Sequence, residues 1–119
     1  MQPLVDRAGL VSTAAFNLGQ PNDFRVPDGG LHLAVPTTVY VPTAMAVIEI
    51  ESPDDETWHK LDFYAEHNVA EILVVSYLSR SVTWLGLVTA GYERLDHSLL
   101  LGKGTADLPG RIAWPPGPA

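Results

Sequence analysis

Residues 45–64 read Met-Ala-Val-Ile-Glu-Ile-Glu-Ser-Pro-Asp-Asp-Glu-Thr-Trp-His-Lys-Leu-Asp-Phe-Tyr. The first seven alternate as a strand does, with Val47, Glu49 and Glu51 on one face and Ala46, Ile48 and Ile50 on the other. Alternate residues of a strand lie roughly 6.5–7 Å apart, so both carboxylates can converge on one cation or one water. The plainest alternative is a wet strand face, with Lys60 as a neutralising neighbour. After the strand, Ser52 suits a helix N-cap, Pro53 the first helical position, and Asp54, Asp55 and Glu56 the positive end of the helix dipole. The spacing then predicts one main helix over Pro53 to His67, packed through Trp58, Leu61 and Ala65 with Phe63 flanking. Lys60 and Tyr64 form an i, i+4 pair on another side, from which Lys60 can lean back over the acids and Tyr64 packs beside it.

Working outward, Asn68 can take the left-handed conformation that ends a helix, and Glu71 to Tyr77 follows as an apolar strand. Strand, helix and strand over about thirty residues make a βαβ unit, whose two strands run parallel with a right-handed connection. Ser79-Arg80-Ser81 turns the chain into Val82 to Val88. Gly91 turns it again into Tyr92 to Leu101, where His97 and Ser98 interrupt the alternation. Upstream, residues 10–18 read as a first strand, 19–23 as a hairpin turn, and Phe24 to Val35 as a second strand that bends or bulges at Pro27-Asp28-Gly29-Gly30. Pro36 to Pro42 reads as a loop or short edge segment. The fold class is therefore α/β, a mixed sheet of five or six strands with one main helix. A single domain covers residues 1–103, and a Gly/Pro-rich extended tail covers 104–119.

Composition limits the chemistry. With 119 residues there is room for one domain, and 46% hydrophobic against 18% charged residues argues for a packed core. Cysteine is absent, so a metal must be held by oxygen or imidazole. The four histidines, at 32, 59, 67 and 97, lack metal-ligand spacing, and no nucleophilic serine motif or phosphate-cradling loop is present. No signal peptide or apolar span is readable, which points to the cytoplasm. The net charge of −7 is the wrong sign for neutralising nucleic-acid phosphates, although a carboxylate cluster reverses its local field once it binds a divalent cation.

Taken together, Glu49-Ile50-Glu51-Ser52-Pro53, then Asp54 or Asp55, Lys60, Tyr64, Asn68-Val69-Ala70-Glu71 and the strand Ile72 to Ser76 resemble the Uma-type restriction endonuclease family of the PD-(D/E)XK nuclease superfamily. Arg25-Val26-Pro27-Asp28 matches its upstream Pro-Asp signature, and the resemblance spans roughly residues 22–87. It implies a restriction endonuclease-like fold and Mg²⁺- or Mn²⁺-dependent hydrolysis of phosphodiesters. Asp28 and Glu49 would be metal ligands. The superfamily's third position usually holds a lysine; here it is Glu51, an extra ligand or a solvent-facing acid. The Uma-type pattern has an apolar residue there and a lysine on the following helix, which would be Lys60, orienting or activating water. DNA is the implied partner, bound weakly by one acidic chain, with self-association as a homodimer. The family places a helical segment before its first strand, for which residues 1–9 are too short. That departure, with Asn68 for a glycine and Ile72-Leu73 for an aromatic pair, keeps a second expectation open: a non-catalytic nuclease-fold module for binding or oligomerisation.

Overall fold

The computed structural model describes residues 5–6, 8–51 and 57–101, with only the backbone described at 57 and 58. The strands are β1 (Val11–Ala14), β2 (Asn17–Gln20), β3 (Asp23–Arg25), β4 (Gly29–His32), β5 (Tyr40–Val41), β6 (Ala46–Glu51), β7 (Glu71–Ser76), β8 (Ser81–Val88) and β9 (Gly91–Leu95). A 3₁₀ turn, Thr57–Lys60, leads into α1 (Leu61–Glu66). The main sheet has the order β1-β4-β6-β7-β8-β9, and a small sheet has the order β3-β2-β5.

The centre of the main sheet is the parallel pair β6 and β7, in register from Ala46 opposite Glu71 to Glu51 opposite Ser76. Every other pairing in that sheet is antiparallel. A central parallel strand is covered on both faces, which is why Ile72-Leu73-Val74-Val75 is apolar without alternation. Val47, Ile72, Val74 and Leu85 point to the side carrying α1, where Leu18, Phe63, Tyr64 and Val69 meet them. Ala46, Leu73, Val75 and Trp84 point to the other side and pack with Val5, Leu10, Leu31 and Leu101. Each buried side chain of this size contributes roughly 1.5–3 kcal/mol by leaving water.

Three local readings change. The expected strand over 10–18 is two strands, β1 and β2, which belong to different sheets. The hairpin at 19–23 exists, but it joins β2 to β3 within the small sheet. The chain then bends at Asp28 and enters the main sheet at Gly29, so the bend marks a change of sheet rather than a bulge within one strand.

The helix differs as well. Leu61 and Ala65 are half-buried, and Phe63 and Tyr64 are the buried residues. The physical cause is the 3₁₀ entry: three residues per turn instead of 3.6 rotates the following face relative to a continuous α-helix. The N-cap expected at Ser52 and Pro53, the acidic first turn at 54–56, the Trp58 side chain and the tail over 104–119 lie outside the described residues. Downstream, Asn68 adopts φ 59°, the left-handed value expected at the helix end, and Arg80 at φ 51° closes the β7–β8 turn. Among the described residues no helix is long and apolar enough to cross a membrane.

Candidate active site

Glu49 sits near the carboxyl end of β6 with 2% of its surface exposed. Alternation places it on the α1 side with Val47, so it faces the helix rather than bulk water. An isolated buried carboxylate is costly, and its partners come from the helical segment. The Tyr64 hydroxyl donates a hydrogen bond to Glu49 Oε1. The Lys60 ammonium lies 3.6 Å from the same oxygen, its own side chain 23% exposed. Their i, i+4 spacing delivers cation and phenol to one carboxylate together.

Asp28 reaches the same neighbourhood from the bend before β4. The register pairs Gly29 with Ile48, so Asp28 lies one step on, beside Glu49. Its carboxylate Oδ2 accepts a 2.7 Å hydrogen bond from the Ile50 backbone N–H. With the ladder ended at Gly29, this side chain holds the acid-bearing end of β6 where the β4 backbone no longer does. Unlike Glu49, Asp28 is exposed, and so is Glu51 at the end of β6.

Tyr64 binds the group together electrostatically. Burial is the main cause that pushes its hydroxyl pKa well above the ordinary 10, followed by the hydrogen bond to Glu49 and the negative charges of Glu49 and Asp28, with Arg25 opposing. Tyr64 is therefore a neutral donor at any physiological pH. The i, i+4 pairing with Lys60 was the available signal for it, but a periodicity does not reveal which carboxylate a phenol will meet.

Asp28, Glu49, Lys60 and Tyr64 thus come together, with Glu51 at the solvent edge. Among the described residues no three His, Asp or Glu side chains stand together as a ready metal-binding group, so Asp28, Glu49 and Glu51 do not form a closed three-carboxylate cage. Two hard oxygen donors, one on β6 and one in the bend before β4, still suit Mg²⁺, which commonly takes one or two carboxylates and keeps several waters. A cavity of about 420 Å³, lined by His32, Thr38, Val41, Thr43, Met45 and Asn68 among others, opens at the other end of β4 and holds none of these acids.

A solved structure has a similar fold. It is a "putative nuclease belonging to DUF820" from Anabaena variabilis ATCC 29413, and it matches 80% of this chain at TM-score 0.59 and 12% identity. The fold is nuclease-like. At that identity the likeness carries the fold alone, and this chain spans about three fifths, 62%, of the length of that one. No protein-family model matches the sequence, and no curated protein matches it.

Proposed function

We propose that the chain is a Mg²⁺- or Mn²⁺-dependent nuclease domain of the Uma type that hydrolyses DNA phosphodiesters. The observation that carries this reading is the buried Glu49 carboxylate, held by the Lys60 ammonium and the Tyr64 hydroxyl and standing next to the anchored Asp28. Asp28 and Glu49 would hold the cation through oxygen, with Glu51 assisting from the exposed end of the strand. When bound, the cation polarises the phosphate and lowers the pKa of an attacking water. Lys60 orients that water and offsets the negative charge that grows on the phosphoryl oxygens. Tyr64 keeps Glu49 in one rotamer, and the Asp28 contact to Ile50 fixes the bend before β4 against the acid-bearing end of β6. Before a cation arrives, Lys60 supplies the positive charge that a buried carboxylate needs.

A second reading is a non-catalytic module of the same fold, acting by binding or self-association. It is favoured by the net charge of −7 and by the absence, among the described residues, of a ready group of three acids or imidazoles for a metal ion. Calorimetric titration with Mn²⁺ separates the two. Binding that disappears in Glu49→Ala supports the nuclease reading, and no binding leaves the second. Plasmid nicking by the wild type, compared with Asp28→Ala, tests the chemistry, and equal nicking by both removes Asp28 from the site.

A further inference from the structure

Arg25 ends β3, three residues before Asp28. Its guanidinium carbon lies 4.5 Å over the centre of the Phe63 ring, and Phe63 is the residue next to Tyr64. Gly19 makes that approach available. At φ +126° a side chain would be strained, and a Cβ there would stand 3.0 Å from Phe63 Cζ and 2.5 Å from the Asp23 carbonyl oxygen. The β2–β3 hairpin can therefore press directly on α1.

The guanidinium is anchored on one edge. Arg25 Nη1 donates to the Phe24 carbonyl at 2.9 Å and to Asp23 Oδ1 at 3.3 Å. Both bonds use the same nitrogen, so the Nη2 and Nε donors have no partner among the described residues, and the side chain is 43% exposed. A planar fork stacked on a ring and tied at one nitrogen has already lost much of its rotamer freedom. The remaining edge has the two parallel donors that match the oxygens of a phosphate.

This group lies near the acidic site, since the ring it covers belongs to the neighbour of Tyr64, whose hydroxyl donates to Glu49, and Asp28 follows three residues later. Among the described residues the charges there are four carboxylates, Asp23, Asp28, Glu49 and Glu51, against two cations, Lys60 and Arg25, a sum of −2 that a divalent cation brings to 0. The cation thus removes the net repulsion that a phosphodiester would meet, and Arg25 supplies the only fork-shaped donor among these six side chains.

We propose that Arg25 is a phosphate-binding residue, which receives a backbone phosphate of DNA beside the carboxylates and so sets the register of the strand across them. This rests on the nuclease reading. The test is fluorescence anisotropy of a labelled DNA duplex in Ca²⁺, a hard cation replacing Mg²⁺, across a series of KCl concentrations. Arg25→Gln is expected to weaken binding roughly tenfold regardless of base sequence and to reduce the slope of log affinity against log salt by about one. Arg25→Lys, which keeps the charge and loses the fork, is expected to keep the slope and bind less tightly than wild type. Should Arg25→Gln fail to fold, Arg25→Lys carries the test, and wild-type affinity in it overturns the proposal. If the wild type nicks plasmid while Arg25→Gln binds DNA with unchanged affinity and slope, the role of Arg25 falls and the nuclease reading stands. A wild-type protein that neither binds nor nicks DNA ends both.

Discussion

Glu49 and Glu71 are carboxylates on neighbouring parallel strands, 2% and 3% exposed, and their surroundings differ in kind. Glu71 begins β7 and points to the face of Leu73 and Val75. It is satisfied by the chain that follows β9: the Ser98 hydroxyl donates to Oε1, and the backbone N–H groups of Leu99 and Leu100 donate to Oε2 at 2.9 and 3.0 Å. Ser98 Oγ in turn accepts from the Leu101 N–H at 3.0 Å. Neutral, short-range and mostly main-chain donors make Glu71 a clasp that ties residues 98–101 to the sheet. Glu49 lies at the opposite end and on the opposite face. Its partners include a half-buried ammonium and a phenol, and a second carboxylate stands beside it. Burial alone is thus no mark of chemistry. What sets Glu49 apart is a charged partner that reaches solvent and an acid neighbour with solvent access.

The largest expected effect tests the clasp. Glu71→Ala strands the three donors on its carboxylate and is expected to cost about 3 kcal/mol of unfolding free energy in a urea titration. A loss under about 1 kcal/mol would break the contrast, because Glu71 would then not be holding the chain. Glu49→Gln should show the reverse pattern. Plasmid nicking is expected to fall at least about a hundredfold, while stability changes by less than about 1 kcal/mol, since Lys60 can turn toward water and the amide still accepts from Tyr64. Loss of stability with unchanged nicking would make Glu49 a second clasp.

Tyr64→Phe sharpens the comparison by removing one donor and little volume. It is expected to lower stability by about 1 kcal/mol, read from the shift in urea midpoint, and to weaken Mn²⁺ binding in calorimetry because Glu49 loses its positioning bond.

The smallest effect concerns the end of β4 away from the acids. His32 is buried against Phe16, its Nε2 lies 2.9 Å from Thr13 Oγ1, and burial lowers its pKa below the ordinary 6.5. The folded state then holds fewer protons on this ring than the unfolded state, so stability is complete above about pH 6.5 and is lost as pH falls through the lowered value. The melting temperature of the wild type is expected to drop between pH 7 and pH 5, by more than that of His32→Gln. Equal drops in the two proteins would assign the acid sensitivity to the carboxylates.

The strand over 46–51, the parallel partner after the helix and the left-handed Asn68 were all legible from local pattern. So was the approach of Lys60 to the acidic strand, because i, i+4 spacing and a strand end are short-range facts. The division of residues 10–18 between two sheets was not legible, since alternation says which residues share a face and nothing about which sheet owns it. Nor was the burial of Phe63 and Tyr64. It depends on a few tens of degrees of helix rotation set by the 3₁₀ turn at Thr57–Lys60. Arg25 read as part of a Pro-Asp signature, but its stack on Phe63 depends on the small sheet lying across α1.

By itself the order of residues determined the α/β class, the parallel core pair and the types of group available: oxygen ligands, one helical lysine, no thiol. Periodicity and capping act over a few residues, so they survive without a fold. Only the tertiary structure decided which carboxylate loses its water. Glu49, Glu51 and Glu71 look alike along the chain, and it is the packing of α1 on one face and of residues 98–101 on the other that makes one a candidate ligand, one a solvent-facing acid and one a clasp. Desolvation and partner choice depend on what crosses above a residue, and that is a property of distant segments brought together.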